Sequence, residues 1–492
     1  MEPARVHLTT YGCQMNRLDA TLAAEVLRAA GARIVADPDE ANVLVFLTCS
    51  VRAHAENRVF SNVGALAERK KREPGLVVGL VGCMAQAYGE ALWRRAPLVD
   101  FLCAPGRLAI LPDLVEEARA GRHGIALDPR RQEHAPDAYQ PADARLDEVE
   151  VRGRTVVAPS RQAFVRVMRG CDRFCSYCVV PYVRGPERSR SPAAVLEGVR
   201  RLVDRGVREV TLLGQAVNHY AFQEAGRAWG LSDLIARVAE TPNLARLRFI
   251  TSHPGAMTPH LAACFRDVPL LCPHLHMPAQ SGSDTVLARM NRGYTAAEYA
   301  EKVALVREAA PDVAVVSDFI VGFPGETPED FEATADLVRR MRFAGGFVFK
   351  YSPRPGTVAA EKYSDDVPQK EKERRHRELL DLLSEIAMQD NQAFIGREVC
   401  VLVEGPSPRE RKAAGWRPET GGKNTVPVGG SRGSSSSLKP PASGLIQWRG
   451  RTPDNRLVVF DGRPDLAGEL VTVRITRAGA LTLFATLLEN GS

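Results

Sequence analysis

Up to about residue 120, short apolar runs alternate with amphipathic stretches of helical period. The runs Val6–Tyr11, Val43–Leu47 and Leu76–Val81 read as strands separated by helices, and this alternation predicts an open parallel α/β sheet in an N-terminal domain, 1–120. From about Gly121 to Gln162 the chain turns polar, with repeated Arg, Asp, Pro and Gln, and the loss of apolar period predicts a linker. The alternation resumes in a central domain, 163–390. Its strand candidates are Ala163–Val167, Glu209–Leu213, Leu247–Ile250, His274–Pro278, Val313–Val321 and Gly346–Tyr351. Six βα units predict an open or partial βα barrel, because a full eight-stranded one takes about 250 residues. Helix starts carry their own signals. Ser191-Pro192 opens a helix whose stripe is Val195, Leu196, Val199, Leu202 and Val203, with Gly206 closing it. Thr295 with Glu298, and Thr327 with Asp330, open two more. Beyond Asn391 the runs Glu398–Val403, Leu457–Phe460 and Glu469–Ile475 predict a small β-barrel, 391–492. A Gly/Ser/Pro-rich insertion, about 406–443, interrupts it and reads as flexible.

Composition narrows the class. With 492 residues, the chain has room for roughly three domains; 45% hydrophobic and 25% charged residues are ordinary globular usage, which excludes global disorder. The longest nearly uncharged apolar run, Leu76 to Ala87, falls short of the roughly 20 residues that cross a bilayer, so no membrane span is expected. Met1–Arg5 lacks the pattern of a secretory signal, and a cytoplasmic, reducing setting is expected. There, ten cysteines point to metal ligands, catalytic thiols or buried thiols rather than disulfides. Net charge is 65 − 59 = +6, with 14 Lys plus Arg against 9 Asp plus Glu from Asn391 onward. A basic C-terminal module of this kind suits a phosphate backbone, a solvated basic surface being the alternative.

Cys171, Cys175 and Cys178 form C-x3-C-x2-C just after the first strand of the central domain. Three thiolates can hold one face of a four-iron cluster and leave one iron open for a chelating ligand; zinc or chance clustering are the competing readings. In the N-terminal domain Cys13, Cys49 and Cys83 each follow the end of a predicted strand. Ligands of open parallel sheets gather at the carboxyl ends of the strands, so these thiols are expected to converge. They are candidates for a second cluster, or buried small residues. Cys103, Cys264, Cys272 and Cys400 lack such placement and read as buried thiols.

The cysteine triplet resembles the signature of the radical S-adenosylmethionine enzymes. Their resemblance implies that Cys171, Cys175 and Cys178 hold a [4Fe–4S] cluster whose open iron binds S-adenosylmethionine, with Tyr177 beside the adenine. Tyr11-Gly12-Cys13-Gln14-Met15-Asn16, Thr48-Cys49-Ser50-Val51-Arg52 and Gly82-Cys83-Met84-Ala85-Gln86 resemble cluster-binding motifs of the methylthiotransferases. Arg169-Gly170-Cys171 with Cys178-Val179-Val180-Pro181-Tyr182-Val183-Arg184-Gly185 resembles their central motif. Gly214-Gln215-Ala216-Val217-Asn218, Thr251-Ser252-His253-Pro254, Gln280-Ser281-Gly282-Ser283, Asn291-Arg292-Gly293-Tyr294, Asp318 to Glu326 and Tyr351-Ser352-Pro353-Arg354 match further. Gly450-Arg451-Thr452 with Asn455-Arg456 is similar to the core of the RNA-binding TRAM domain. Within the family the resemblance is greatest to the tRNA-2-methylthio-N6-dimethylallyladenosine synthases. Leu47, Ala216 and Pro186 depart from that subgroup's usual residues.

The resemblance implies two [4Fe–4S] clusters and S-adenosylmethionine as cofactors, with Cys13, Cys49 and Cys83 holding the second cluster. It also implies a tRNA anticodon stem-loop as substrate, an external electron donor and a sulfur source. The C2–H bond of adenine is out of reach of acid–base catalysis, which contributes about 10²–10⁴-fold, so radical chemistry is required. Gly214, Gln215, Gln280, Ser281 and Asp318, at predicted strand ends, are candidates for holding S-adenosylmethionine or for capping the barrel rim. His253 is a candidate proton-transfer group or a hydrogen-bonded structural histidine. Arg451, Arg456, Arg474 and Arg477 are candidate phosphate contacts or solvated charges. The competing functions are methylthiolation of threonylcarbamoyl-adenosine in tRNA or of a ribosomal-protein aspartate, and an iron–sulfur or zinc RNA-binding protein without enzymatic activity.

Overall fold

The computed structural model describes residues 2–50, 53–129, 161–413 and 444–488. In the N-terminal domain six parallel strands lie in the order Arg33–Ile34, Arg5–Thr10, Val43–Thr48, Val77–Gly82, Phe101–Cys103, Gly124–Ala126. Val43–Thr48 and Val77–Gly82 are buried along their whole length, as strands covered on both faces must be. Period two divides them between two cores: Val43, Val45 and Leu47 face Leu18, Leu22 and Leu27 of the helix Gln14–Ala29, while Leu44 and Phe46 face Val59, Met84 and Leu92. The polar stretch expected to be linker from Gly121 begins otherwise. Gly124–Ala126 is the sixth strand, and Asp128 exchanges hydrogen bonds of 2.9 and 3.0 Å with the Gln86 amide. Three residues are too few to display a period. The rest of the expected linker, 130–160, lies outside the described residues.

The central domain is the expected partial barrel. Gln162–Arg166, Glu209–Leu213 and Arg246–Ile250 form one parallel set; His274–His276, Ala314–Val321 and Gly345–Lys350 form the other. A parallel bridge between Leu247 and Leu271 joins them. Along Arg246–Ile250, Leu247 and Phe249 face the helices, which leaves Arg246, Arg248 and Ile250 on the concave side. The three helix starts read from sequence are present: Ser191 Oγ accepts from Ala194 N, and Thr295 with Glu298 and Thr327 with Asp330 form capping boxes. A hairpin of Ala221–Glu224 and Arg227–Gly230, not expected from the sequence, follows the second strand. Its strands are short and largely exposed, so no apolar alternation announces them.

The C-terminal domain is a closed barrel of Glu398–Pro406, Ile446–Arg451, Leu457–Gly462, Leu483–Leu487 and Leu470–Ala478 in that order, filled by Val401, Val403, Trp448, Phe460, Val473 and Ile475. The insertion expected from about 406 starts in structure: Pro406 ends a strand and Pro408–Ala413 is a short helix; 414–443 lie outside the described residues.

Two seams fix the domains. Leu213, with Phe164 and Ile250 beside it, packs into the N-terminal core, and a buried ion pair, Arg354 to Glu56 at 3.0 Å, spans the same two domains. At the other end, Arg246 and Arg248 donate to the carbonyls of Cys400, Arg451, Thr452 and Pro453 at 2.7–3.0 Å. Glu209 lies 3.3 Å from Arg248 and 3.8 Å from Arg246. The C-terminal barrel is thus seated against the starting ends of the central strands.

Candidate active site

The N-terminal cysteines sit where their strands end. Cys13 caps the helix Gln14–Ala29, Cys49 follows Val43–Thr48 and Cys83 is the first residue of the helix Cys83–Tyr88. Asn16 Nδ2 donates to the carbonyls of Tyr11 and Leu47, both at 3.0 Å, and Thr48 Oγ1 to Val81 O at 2.9 Å, which ties the three strand ends together. A Cβ on Gly12 would lie 2.5 Å from Cys49 Cβ, so the missing side chain is what lets the first two loops close. A hydrogen bond with Cys49, aided by the Arg184 charge, brings Cys13 down to about 6 despite burial. Burial pushes Cys83 up, against the pull of Arg184. Cys13 is thus in reach of both other sulfurs, by a hydrogen bond with Cys49 and by charge on Cys83.

The second set is held as firmly. Gly170 has φ +74°, and a Cβ there would meet Pro186 O at 1.8 Å, so only glycine allows the chain to enter the loop. Cys171 N donates to Gly185 O at 3.1 Å and Cys178 N to Cys175 O at 2.9 Å. Asn291 Nδ2 holds Phe174 O at 3.1 Å and Ser176 Oγ donates to Arg289 O at 2.8 Å. Arg292, buried, donates to Cys175 Sγ at 3.2 Å, to the Tyr177 hydroxyl at 3.4 Å and to the Tyr294 hydroxyl at 2.9 Å. Burial raises Cys171 to about 12 and raises Cys178 as well, each pushed further by neighbouring sulfurs. Sulfurs so placed become thiolates when metal charge is present, which coordination supplies. Among the described residues no three His, Cys, Asp or Glu side chains are gathered tightly enough for a single metal ion. A four-iron cluster takes each thiolate on a different iron and asks only for convergence. Each set supplies the three free thiols that such a group takes.

The concave face of the central domain carries a hydrogen-bonded row. Thr251 Oγ1 lies 3.0 Å from His276 Nδ1, and His276 Nε2 lies 3.2 Å from Asp318 Oδ1. Gln280 takes φ +71° and brackets Phe319 by backbone bonds, accepting from Ile320 N and donating to Asp318 O, both at 2.9 Å. Ser281 is committed elsewhere: its buried hydroxyl pairs with Thr334 at 3.1 Å and caps Ser283 N. Gly214 is a close-packing position, a Cβ there meeting Met168 Cγ at 2.6 Å; Gln215 next to it is half-buried. Tyr177 packs edge-on to Phe323, ring centroids 6.5 Å apart. His253 Nδ1 accepts from Gly255 N at 3.2 Å, and burial, with Arg292 and Arg173 near, brings its pKa down to about 2. Sequence reading passed over Arg184, Arg292 and His276 as individual residues. A charged side chain ending the otherwise apolar Val179–Val183 was the available signal for the first.

Family comparisons agree with this layout. The model of the radical SAM superfamily matches residues 165–338, that of the uncharacterized protein family UPF0004 residues 5–104, and that of the TRAM domain residues 447–488. A tRNA-2-methylthio-N(6)-dimethylallyladenosine synthase of Rhodopirellula baltica is 40% identical over 97% of this chain and 94% of its own. The chain belongs to the radical S-adenosylmethionine methylthiotransferases. A synthase of the same name from Moorella thermoacetica is also 40% identical, over 98% of each chain. Among solved structures, the radical S-adenosylmethionine methyltransferase TsrM from Kitasatospora setae matches at TM-score 0.49 and 15% identity, over 73% of this chain and 74% of that one. As a radical S-adenosylmethionine tRNA methylthiotransferase, the protein uses S-adenosylmethionine and a [4Fe–4S] cluster.

In this methylthiotransferase the four arginines of the C-terminal barrel separate into two kinds. Arg451 is bonded to Glu404 and to Asn455 O. Arg456 is paired with Asp454, donates to Asn391 Oδ1 at 2.7 Å and covers the Phe394 ring. Arg451 thus ties the barrel to itself, and Arg456 also ties it to the helix Gln369–Gln392. Arg474, paired with Glu398 at 2.6 Å, and Arg477, over the Phe484 ring, are exposed and lie along one strand.

Proposed function

We propose that this chain adds a methylthio group to C2 of N6-isopentenyladenosine at position 37 of tRNA. The observation that carries this reading is its 40% identity, over nearly the full length, to synthases named for that product. When bound, a cluster on Cys171, Cys175 and Cys178 with S-adenosylmethionine would supply the electron and the radical chemistry, a second on Cys13, Cys49 and Cys83 would supply the sulfur, and a second S-adenosylmethionine would supply the methyl group. The chain's own residues do the rest. Gly170, Asn291 and Ser176 fix the loop that presents three sulfurs to one side. Arg292 keeps a positive charge against Cys175 and orients Tyr177 by the same side chain. The Asp318–His276–Thr251 row offers hydrogen-bond acceptors and donors to whatever occupies the concave face. The anticodon stem-loop presents the adenosine as a splayed base, in the manner of single-stranded RNA recognition, and an external electron donor and a sulfur source serve each turnover.

Mass spectrometry of nucleosides from bulk tRNA tests this. In cells lacking the chain, wild type restores methylthio-isopentenyladenosine, and Cys171→Ala and Cys49→Ala do not. Full product with Cys49→Ala removes the second cluster from the proposal. Restoration of a methylthio group on threonylcarbamoyl-adenosine or on a ribosomal aspartate instead overturns the substrate.

A further inference from the structure

Between the two cysteine sets runs one short segment. The helix Val180–Arg184 begins two residues after Cys178, and Val179 and Val183 pack on Cys83. Its last residue, Arg184, leaves the central domain and enters the N-terminal one. Arg184 Nε donates to Cys83 Sγ at 3.2 Å, and Nη2 pairs with Asp19 Oδ2 at 2.5 Å. The two side chains are 7% and 8% exposed. The next residue, Gly185, accepts from Cys171 N. A guanidinium stays charged whatever its surroundings, and burying one is unfavourable unless it is paired and bonded. Here its partners are a carboxylate and a cysteine sulfur of the other domain. Arg292 does the corresponding work at Cys175, but from within its own domain.

We infer that Arg184 is a positioning residue for the N-terminal cysteine site. It brings a positive charge and an N–H to Cys83 from the central domain, and the site has its full electrostatic complement only when the two domains are docked. Asp19 sets how much of that charge the sulfurs feel. Hydrogen bonds to a cluster's sulfurs and positive charge near it raise its reduction potential, so Arg184 makes a cluster on Cys13, Cys49 and Cys83 easier to reduce and Asp19 opposes it. This rests on the proposal above that those cysteines hold a cluster.

The test is a spectroelectrochemical titration of the reconstituted full-length chain, followed by low-temperature EPR, with S-adenosylmethionine added to mark the central wave. Arg184→Gln is expected to lower the S-adenosylmethionine-insensitive wave alone. The reduced-to-oxidised ratio at the wild-type midpoint should fall about tenfold, which is about 59 mV for one electron. Asp19→Asn should move the same wave upward, and Arg184→Lys should restore part of the shift, a sign pattern that loss of packing does not produce. Unmoved waves in variants with full iron, or equal movement of both waves, overturn the inference. If wild type itself binds only one cluster's worth of iron, what fails is the reading of Cys13, Cys49 and Cys83 as a cluster site. Should Arg184→Gln not fold, Asp19→Asn carries the test alone: an unshifted wave rejects the role given to Arg184.

Discussion

Single residues decide whether the cysteines can meet. Gly12 is the clearest: there is no room for a methyl group between it and Cys49. Gly12→Ala should cost about 1–3 kcal/mol, the usual range for overpacking a filled interior. Iron per chain should fall to that of Cys49→Ala; thermal melting and iron assay check the two effects, and unchanged iron refutes the steric account. At this scale the sequence was informative where chemistry is local. Cys171, Cys175 and Cys178 share one loop, so their spacing already states what they can bind. Arg184 and Asp19 lie 165 positions apart, and no spacing rule links them. Ser281 and Arg456 have polar side chains that suit a ligand, yet each also has a partner more than fifty positions away, Thr334 and Asn391.

Elements were legible to the extent that burial gave them a period. The strands Val43–Thr48 and Val77–Gly82 and the helix opened by Ser191 announced themselves by apolar runs and caps. The exposed hairpin at Ala221–Gly230 had no buried face to declare it. The seat of the C-terminal barrel was illegible for another reason: Arg246 and Arg248 grip backbone carbonyls, which are the same for every residue type. Glu209 balances those two guanidinium groups while all three are buried. Breaking a buried pair costs about 3–5 kcal/mol because the remaining charge is stranded. Glu209→Gln should therefore lower the urea midpoint of the central domain and speed proteolysis near Asn391, where the long helix meets the barrel. Unchanged cleavage would mean that the seat does not depend on that charge balance.

On the scale of the whole molecule, the three regions and their order followed from alternating patterns, whereas their mutual placement rests on pairs such as Arg354 with Glu56 that only the folded chain brings together. The exposed strand carrying Arg474 and Arg477 is the surface from which phosphate contacts are expected. Alanine at both should weaken tRNA binding alike for all sequences and reduce the salt slope by about one per residue. Filter binding across a salt series measures it, and an unchanged slope assigns RNA contact elsewhere. Arg456→Ala should leave that slope alone and loosen the barrel instead. One dimension of the architecture bears on what can be a substrate. The RNA-facing barrel is seated where the central strands begin, and both cysteine sets lie where strands end. A five-residue strand covers roughly 17 Å, so an RNA held at both poles has to bridge at least that height. A stem carrying its loop has the reach; a lone nucleoside or trinucleotide touches one pole and forfeits the other.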